Sequence, residues 1–144
     1  MSVRVDVSSK VKGSPPARRV RAVLEHASRL VPRSGAGDSR SGAEVSVLFC
    51  GDKTMRTLNR RYRGKDRATD VLAFPAGSGG LLGDIVISLP YAARRSRRLG
   101  EPPGKEVRRL LLHGLLHLRG YDHETDQGEM DGLEAKLRRR LGLE

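Results

Sequence analysis

Tryptophan is absent from this chain of 144 residues, and tyrosine and phenylalanine contribute only 3 and 2 side chains. So small an aromatic complement excludes a base-stacking platform as the main way of holding a nucleic acid. Cysteine occurs once, at Cys50, which rules out an intrachain disulfide and suits a reducing cytoplasm. Cys50 closes an apolar run and reads as a small core residue rather than a nucleophile. No segment is apolar for long enough to cross a membrane, and the first residues carry no signal-peptide-like stretch. Acidic residues are scarce: 17 Asp and Glu face 28 Lys and Arg, a formal charge of +11. That imbalance favours a polyanionic partner, held through phosphate contacts, over a merely soluble basic surface. The length fits one domain with a single core, residues 1–144, and no internal repeat is visible.

Patterning supplies the elements. Val3, Val5 and Val7 alternate with polar residues as in a half-buried strand. A helix over 17–31 places Val20, Val23, Leu24, Ala27 and Leu30 on one face, with Arg18, Arg19 and Arg21 largely outside it. His26 lies on that helix without a ligand-like neighbour and is structural or superficial. Residues 32–43, rich in Gly, Ser and Arg, predict a mobile loop. Val45, Val47 and Phe49 form a second strand, after which Asp52 is placed to cap a short helix with Met55, Leu58 and Tyr62 inward. A strand over 71–74, a flexible glycine-rich turn over 76–80 and a strand over 82–88 follow, the last apolar enough to be central.

Pro90 suits the first turn of a helix that runs to Leu99 and carries Arg94, Arg95, Arg97 and Arg98. Residues 100–104 end it, and a leucine-rich helix spans about 105–119. The last helix, 124–141, turns Met130, Leu133 and Leu137 inward and sets Arg138, Arg139 and Arg140 near its end, where cations suit the helix dipole. The order β-α-β-α-β-β-α-α-α lacks regular βαβ alternation. It predicts an α+β fold, a single mixed sheet of about four strands packed against several helices.

The chemistry concentrates in residues 111–123, which hold three of the 4 histidines. On a helix His113 and His117 lie only ~40° apart around the axis, so both imidazoles share a face. Gly120 suits the left-handed turn that ends a helix, letting the chain fold back and bring His123 to the same point. Leu110, Leu111, Leu112, Leu115, Leu116 and Leu118 make the helix apolar over most of its circumference, as in a buried element. Burying imidazoles there without partners costs about 1–3 kcal/mol per unsatisfied group, and a metal ion removes that cost. Three imidazoles suit zinc, one ion per chain on the helix and the following turn, with a fourth position open to water. Nickel, copper and iron accept the same ligands. The spacing is that of the metzincin proteases, except that Gly114 replaces the glutamate that serves them as general base. The metal cage is kept and the peptidase machinery is not.

A second stretch packs Arg60, Arg61, Arg63, Lys65 and Arg67 around a helix-to-strand connection. With it in view the chain resembles the YbeY family of bacterial rRNA-maturation endoribonucleases. The resemblance rests on N-x-x-Y-R-x-K-D at 59–66, T-D-V-L-A-F-P at 69–75, L-G-D-I-V-I-S at 82–88 and H-G-x-L-H-L-x-G-Y-D-H-E at 113–124. Ala73 stands where the family often has serine. The resemblance implies an α+β fold with a metal at the end of a cleft. It implies a zinc-dependent, single-strand-specific endoribonuclease acting on rRNA of the small ribosomal subunit, at its 3′ end, and in ribosome quality control. His113, His117 and His123 are then the metal ligands and Arg63 the functional arginine.

Tyr121 and Asp122 read as turn formers, with Asp122 orienting a histidine N–H, ahead of a direct catalytic part. Asp84 is either a supporting polar group or a residue of the strand start, and carries no assigned role. Two other functions fit part of the pattern: a metal-dependent hydrolase of a non-RNA substrate, and a non-catalytic ribosome-associated zinc protein. The first leaves the charge and the missing glutamate unexplained; the second calls for a fourth protein ligand.

Overall fold

Strand alternation builds the sheet. The structure is a computed structural model and describes residues 3–31, 43–78 and 81–144. In β2 (Ala43–Cys50), Val45, Val47 and Phe49 enter the main core, while Leu48 and Cys50 face a smaller cluster on the other side. In β4 (Leu81–Ser88), Ile85 and Ile87 enter the main core and Val86 the smaller one. Both faces of β4 are therefore covered, which is why its sequence is a continuous apolar run. With β1 (Val3–Ser9) and β3 (Val71–Ser78) the sheet order is β1-β2-β4-β3. The first three strands in that order run parallel and β3 pairs antiparallel with β4. Pro75 is accommodated because β3 is an edge strand, where a missing N–H breaks no ladder on its outer side. The mixed sheet and its helices are the α+β fold expected from the element order.

Helix α1 (Ala17–Leu30) buries Val20, Leu24 and Ala27, and α4 (Pro103–Leu118) buries Leu110, Leu111, Leu112, Leu115, Leu116 and Leu118 in the same core. On the opposite face α2 (Asp52–Arg63) covers Cys50, Leu72 and Val86 with Met55. Helices α3 (Leu89–Leu99) and α5 (Glu129–Leu141) complete the order.

Four local expectations change. Tyr62 is 59% exposed, its ring edge-on to Phe74 at 5.4 Å, instead of lying on the inner side of α2. Asn59 takes the inward position one turn after Met55, because its amide donates to the Arg67 carbonyl at 2.9 Å. Asp52 does not cap α2; its carboxylate accepts from Ser88 Oγ at 2.8 Å and from Arg94 at 2.7 Å, partners remote in sequence. The glycine-rich turn is shorter than expected, since β3 continues to Ser78 and pairs Ser78 with Leu81. The last helix begins at Glu129, after a turn that places His123, with Asp126 oxygens accepting the Gly128 and Met130 N–H groups at 2.9 Å. The expected loop at 32–43 lies, up to the start of β2, outside the described residues.

An ionic chain crosses from β3 to the C-terminus. Arg95 donates to Asp70 at 2.8 Å and to Glu106 at 2.9 Å. Arg109 donates to Glu106 at 3.2 Å, to both oxygens of Glu101 at 2.6 and 2.7 Å, and through Nε to the Leu143 carbonyl at 2.6 Å. The bidentate Arg109 fork, helped by Lys105, holds the Glu101 carboxyl down at about 2 against its ordinary 4.5. A group that titrates lower in the folded chain contributes fully above its unfolded pKa, and that contribution is lost as the pH falls toward the folded value. The Tm gap between wild type and Glu101→Gln is accordingly expected to be constant at neutral pH. It should close as the pH drops from 4.5 toward about 2, followed by thermal melts across that range. A gap independent of pH would remove the ion pair from the account.

Gly114 is a packing position. A Cβ there would lie 2.9 Å from Ile85 Cγ2 and 3.1 Å from Ile85 Cγ1 and Cδ1. Alanine gains about 0.8–1.0 kcal/mol of helix propensity over glycine, against about 1–3 kcal/mol for overpacking. Gly114→Ala is expected to destabilise by up to about 2 kcal/mol in urea unfolding, with a coupling of about 1 kcal/mol to Ile85→Ala in a double-mutant cycle. Independent effects of the two substitutions would contradict this contact.

Candidate metal centre

The apolar stripe of α4 sets the orientation of its two histidines. With the leucines packed against the sheet, α1 and α3, His113 and His117 emerge together on the remaining face, ring centroids 4.9 Å apart. The helix stops at Leu118. The Tyr121 N–H returns to the Leu116 carbonyl at 3.1 Å and the Gly120 N–H to the His117 carbonyl at 3.0 Å, with Gly120 at φ +98° as the left-handed residue. A turn follows, in which Asp122 accepts the Glu124 N–H on Oδ1 at 3.0 Å and the Asp126 N–H on its carbonyl at 3.0 Å. This fold-back brings His123 to 5.4 Å from His113 and 5.2 Å from His117, ring centre to ring centre.

One ligand atom from each histidine lies within 4.8 Å of the others, a spacing that one ion spans. The donor chemistry fits as well. Burial, reinforced by the charges of His113 and His123, pushes the His117 pKa down and favours the neutral imidazole, the form that ligates a metal. His113 Nδ1 sits 2.9 Å from Glu134 Oε1, so Nδ1–H donates and Nε2 keeps its lone pair for the cluster. Burial pushes the Glu134 carboxyl up, but the His113 bond and Arg138, 2.9 Å from its other oxygen, outweigh it and hold the group below its ordinary value. Glu134 is therefore an ionised acceptor. The carboxylate–histidine pairing expected of Asp122 is made by Glu134, on a separate helix 21 residues from His113. No local spacing announces that partner.

The cluster opens into a cleft of ≈ 680 Å³ lined by Arg63, Lys65, Arg67, Arg95 and Arg138. Gly64, at φ +70°, ends α2 with its N–H on the Arg60 carbonyl, and Lys65 returns its N–H to Asn59. Arg56 holds both oxygens of Asp66 at 2.8 and 3.0 Å, fixing the loop that carries Lys65 and Arg67. Arg63 turns toward the cluster, close enough for its charge to act on His117, and Nη2 donates to the Ala73 carbonyl at 3.4 Å. The basic run of the sequence thus divides: Arg63, Lys65 and Arg67 line the cleft, whereas Arg60 stands 3.7 Å from Asp66. Arg95 and Arg138, which sequence reading leaves without a part in the site, join them from α3 and α5.

Fold and site together define a class: an α+β protein gathering three histidines in a cleft that Arg63, Lys65 and Arg67 also line. The pattern of the family described as endoribonuclease YbeY matches residues 8–142, and the chain belongs to that family. The endoribonuclease YbeY of Anaeromyxobacter sp. (strain Fw109-5) is 48% identical over 149 residues, covering 99% of this chain and 73% of that protein. That of Solibacter usitatus (strain Ellin6076) is 44% identical over 128 residues, covering 89% and 84%. A Thermotoga maritima protein solved in solution superposes with a TM-score of 0.63 at 28% identity, over 97% of this chain and 89% of that one.

The Glu134 contact has a measurable consequence. Glu134→Gln retains the shape and removes the charge that sets the His113 tautomer, and is expected to weaken zinc binding by about 10–100-fold in competition with a chromophoric chelator. Unchanged affinity would make the contact structural only.

Proposed function

We propose that this chain is a zinc-dependent, single-strand-specific endoribonuclease of the cytoplasm, acting on rRNA of the small ribosomal subunit, at its 3′ end, and in ribosome quality control. The observation that carries this reading is the convergence of His113, His117 and His123 beside Arg63 in a cleft lined by basic side chains. The three imidazoles would hold one zinc ion, with Glu134 orienting His113. When bound, zinc supplies Lewis acidity toward a phosphate oxygen and can lower the pKa of water from ~15.7 to ~7.

The chain's own residues handle the RNA. Arg63 presents a planar pair of N–H donors to the non-bridging oxygens of the scissile phosphate, where charge grows during cleavage. Its bond to Ala73, 3.4 Å long, is weak enough to be exchanged for a phosphate. Lys65 and Arg67 add positive potential along the path, giving an affinity that falls as salt rises, while Arg95 and Arg138 are held by carboxylates of the same wall. Gly114 faces Ile85 in the core, so the position that supplies the general base in metzincins is here committed to packing. A structural zinc would call for a fourth protein ligand, and among the described residues the cluster contains three. No described helix is long and apolar enough to cross a membrane.

Elemental analysis is expected to find about one zinc per chain. A single-stranded rRNA 3′-end fragment should be cut by the wild type and not by His117→Ala or Arg63→Ala, with the circular dichroism of all three alike. Arg63→Lys keeps the charge and loses the fork, so RNA binding should persist while cleavage falls by about 10²-fold. Bound metal with no cleavage above that of the variants would overturn this reading in favour of a metal-binding ribosomal factor.

A further inference from the structure

Helix α3 places four arginines within five positions, Arg94, Arg95, Arg97 and Arg98. Complementing the helix dipole accounts for a cation near the last turn, not for this density. Arg97 and Arg98 are exposed and make no ion pair among the described residues, while Arg94 is paired with Asp52 at 2.7 Å. Tyr91, Arg94, Arg97 and Arg98 line a concavity of their own, of ≈ 420 Å³, outside the cleft. The Tyr91 ring holds two of the guanidinium groups in place: Arg94 lies 5.2 Å and Arg95 5.5 Å from its centroid.

Arg95 connects the two places. It lines the cleft, is pinned there by Asp70 and Glu106 at 2.8 and 2.9 Å, and packs against the same tyrosine that borders the α3 concavity. The basic wall of the cleft therefore continues around Arg95 onto the outer side of α3. From this geometry we infer that Tyr91, Arg94, Arg97 and Arg98 form a second RNA-backbone site, which holds the phosphates of a strand after it has left the cleft. The inference rests on the RNA reading of the cleft and adds to it that substrate length governs affinity. Guanidinium forks match phosphate oxygens, and those of Arg97 and Arg98 make no ion pair among the described residues, so contact at α3 is to the backbone, which carries no base information. Recognition at α3 is accordingly independent of sequence.

The test compares wild type with Arg97→Ala/Arg98→Ala, both exposed positions, by fluorescence anisotropy on 2′-O-methyl single strands of about 6 and about 24 nucleotides, lengths that bracket a typical single-strand site. Two lost phosphate contacts lower the salt slope of single-strand binding by about 1.4. On the long strand the wild-type advantage over the variant should therefore shrink about sevenfold between 50 and 200 mM salt. The loss should be confined to the long strand, and Arg97→Lys/Arg98→Lys should restore the slope. Equal slopes for wild type and the alanine variant on the long strand would overturn the second site while leaving RNA binding by the cleft intact. An equal loss on both lengths would place these arginines on the cleft path and overturn a separate site. Absence of salt-dependent RNA binding by the wild type would overturn the RNA reading itself, and this inference with it.

Discussion

The close seating of α4 on the sheet is the contact on which everything else depends. Two glycines permit it. At Gly114 the helix backbone rests against Ile85, and at Gly83 the strand backbone comes so near that a Cβ would lie 2.8 Å from Leu118 and 2.2 Å from the Phe74 carbonyl. Gly83 also adopts φ +146°, a conformation side chains rarely take. Because the leucines of α4 are buried against the sheet and its neighbouring helices, the angle at which its two histidines emerge is decided by apolar packing.

The polar structure is arranged around that buried helix. Arg109 and Glu106 lie on α4 itself and are both buried, 7% and 3% exposed, so each needs the other and the partners that Glu101, Arg95 and Leu143 supply. Breaking such a pair strands a charge in low dielectric, at a cost of about 3–5 kcal/mol. The ionic chain thus orients α3 and the C-terminal residues against α4, and through Arg95 and Asp70 reaches the start of β3 at the cleft. Arg119, just past α4, is buried too and donates to Ser28 on α1. These contacts hold the walls of the cleft to the element that carries the histidines. Positive charge not consumed in this way remains on the cleft and on α3.

What could be read in advance follows from the range of each interaction. Period-two alternation in β1 and β2, the apolar run of β4, helical periodicity in α1 and α4, and the short spacing of His113, His117 and His123 across a glycine turn are local, and the structure has all of them. Tyr62 misled because the buried position near the end of α2 goes to Asn59, an amide closing a loop onto Arg67, while the tyrosine lies exposed against Phe74. Asp52 misled because a serine and an arginine on distant segments compete successfully with the nearby helix N–H groups. The start of α5 moved because residues 122–128 are used to return His123 to the cluster and to cap the helix through Asp126.

The sequence by itself determined the element order, the sign of the surface charge, the set of three histidines and the arginine-bearing turn, since each depends on neighbours within a few residues. Tertiary structure alone decided the rest. It chose Glu134 rather than Asp122 as the acceptor for His113, brought Arg95 and Arg138 to the same cleft as Arg63, and turned Gly114 to the core. Each of these joins residues from different elements. Which of many carboxylates or guanidinium groups meets a given histidine is settled by how helices pack on the sheet, and no spacing along the chain records it.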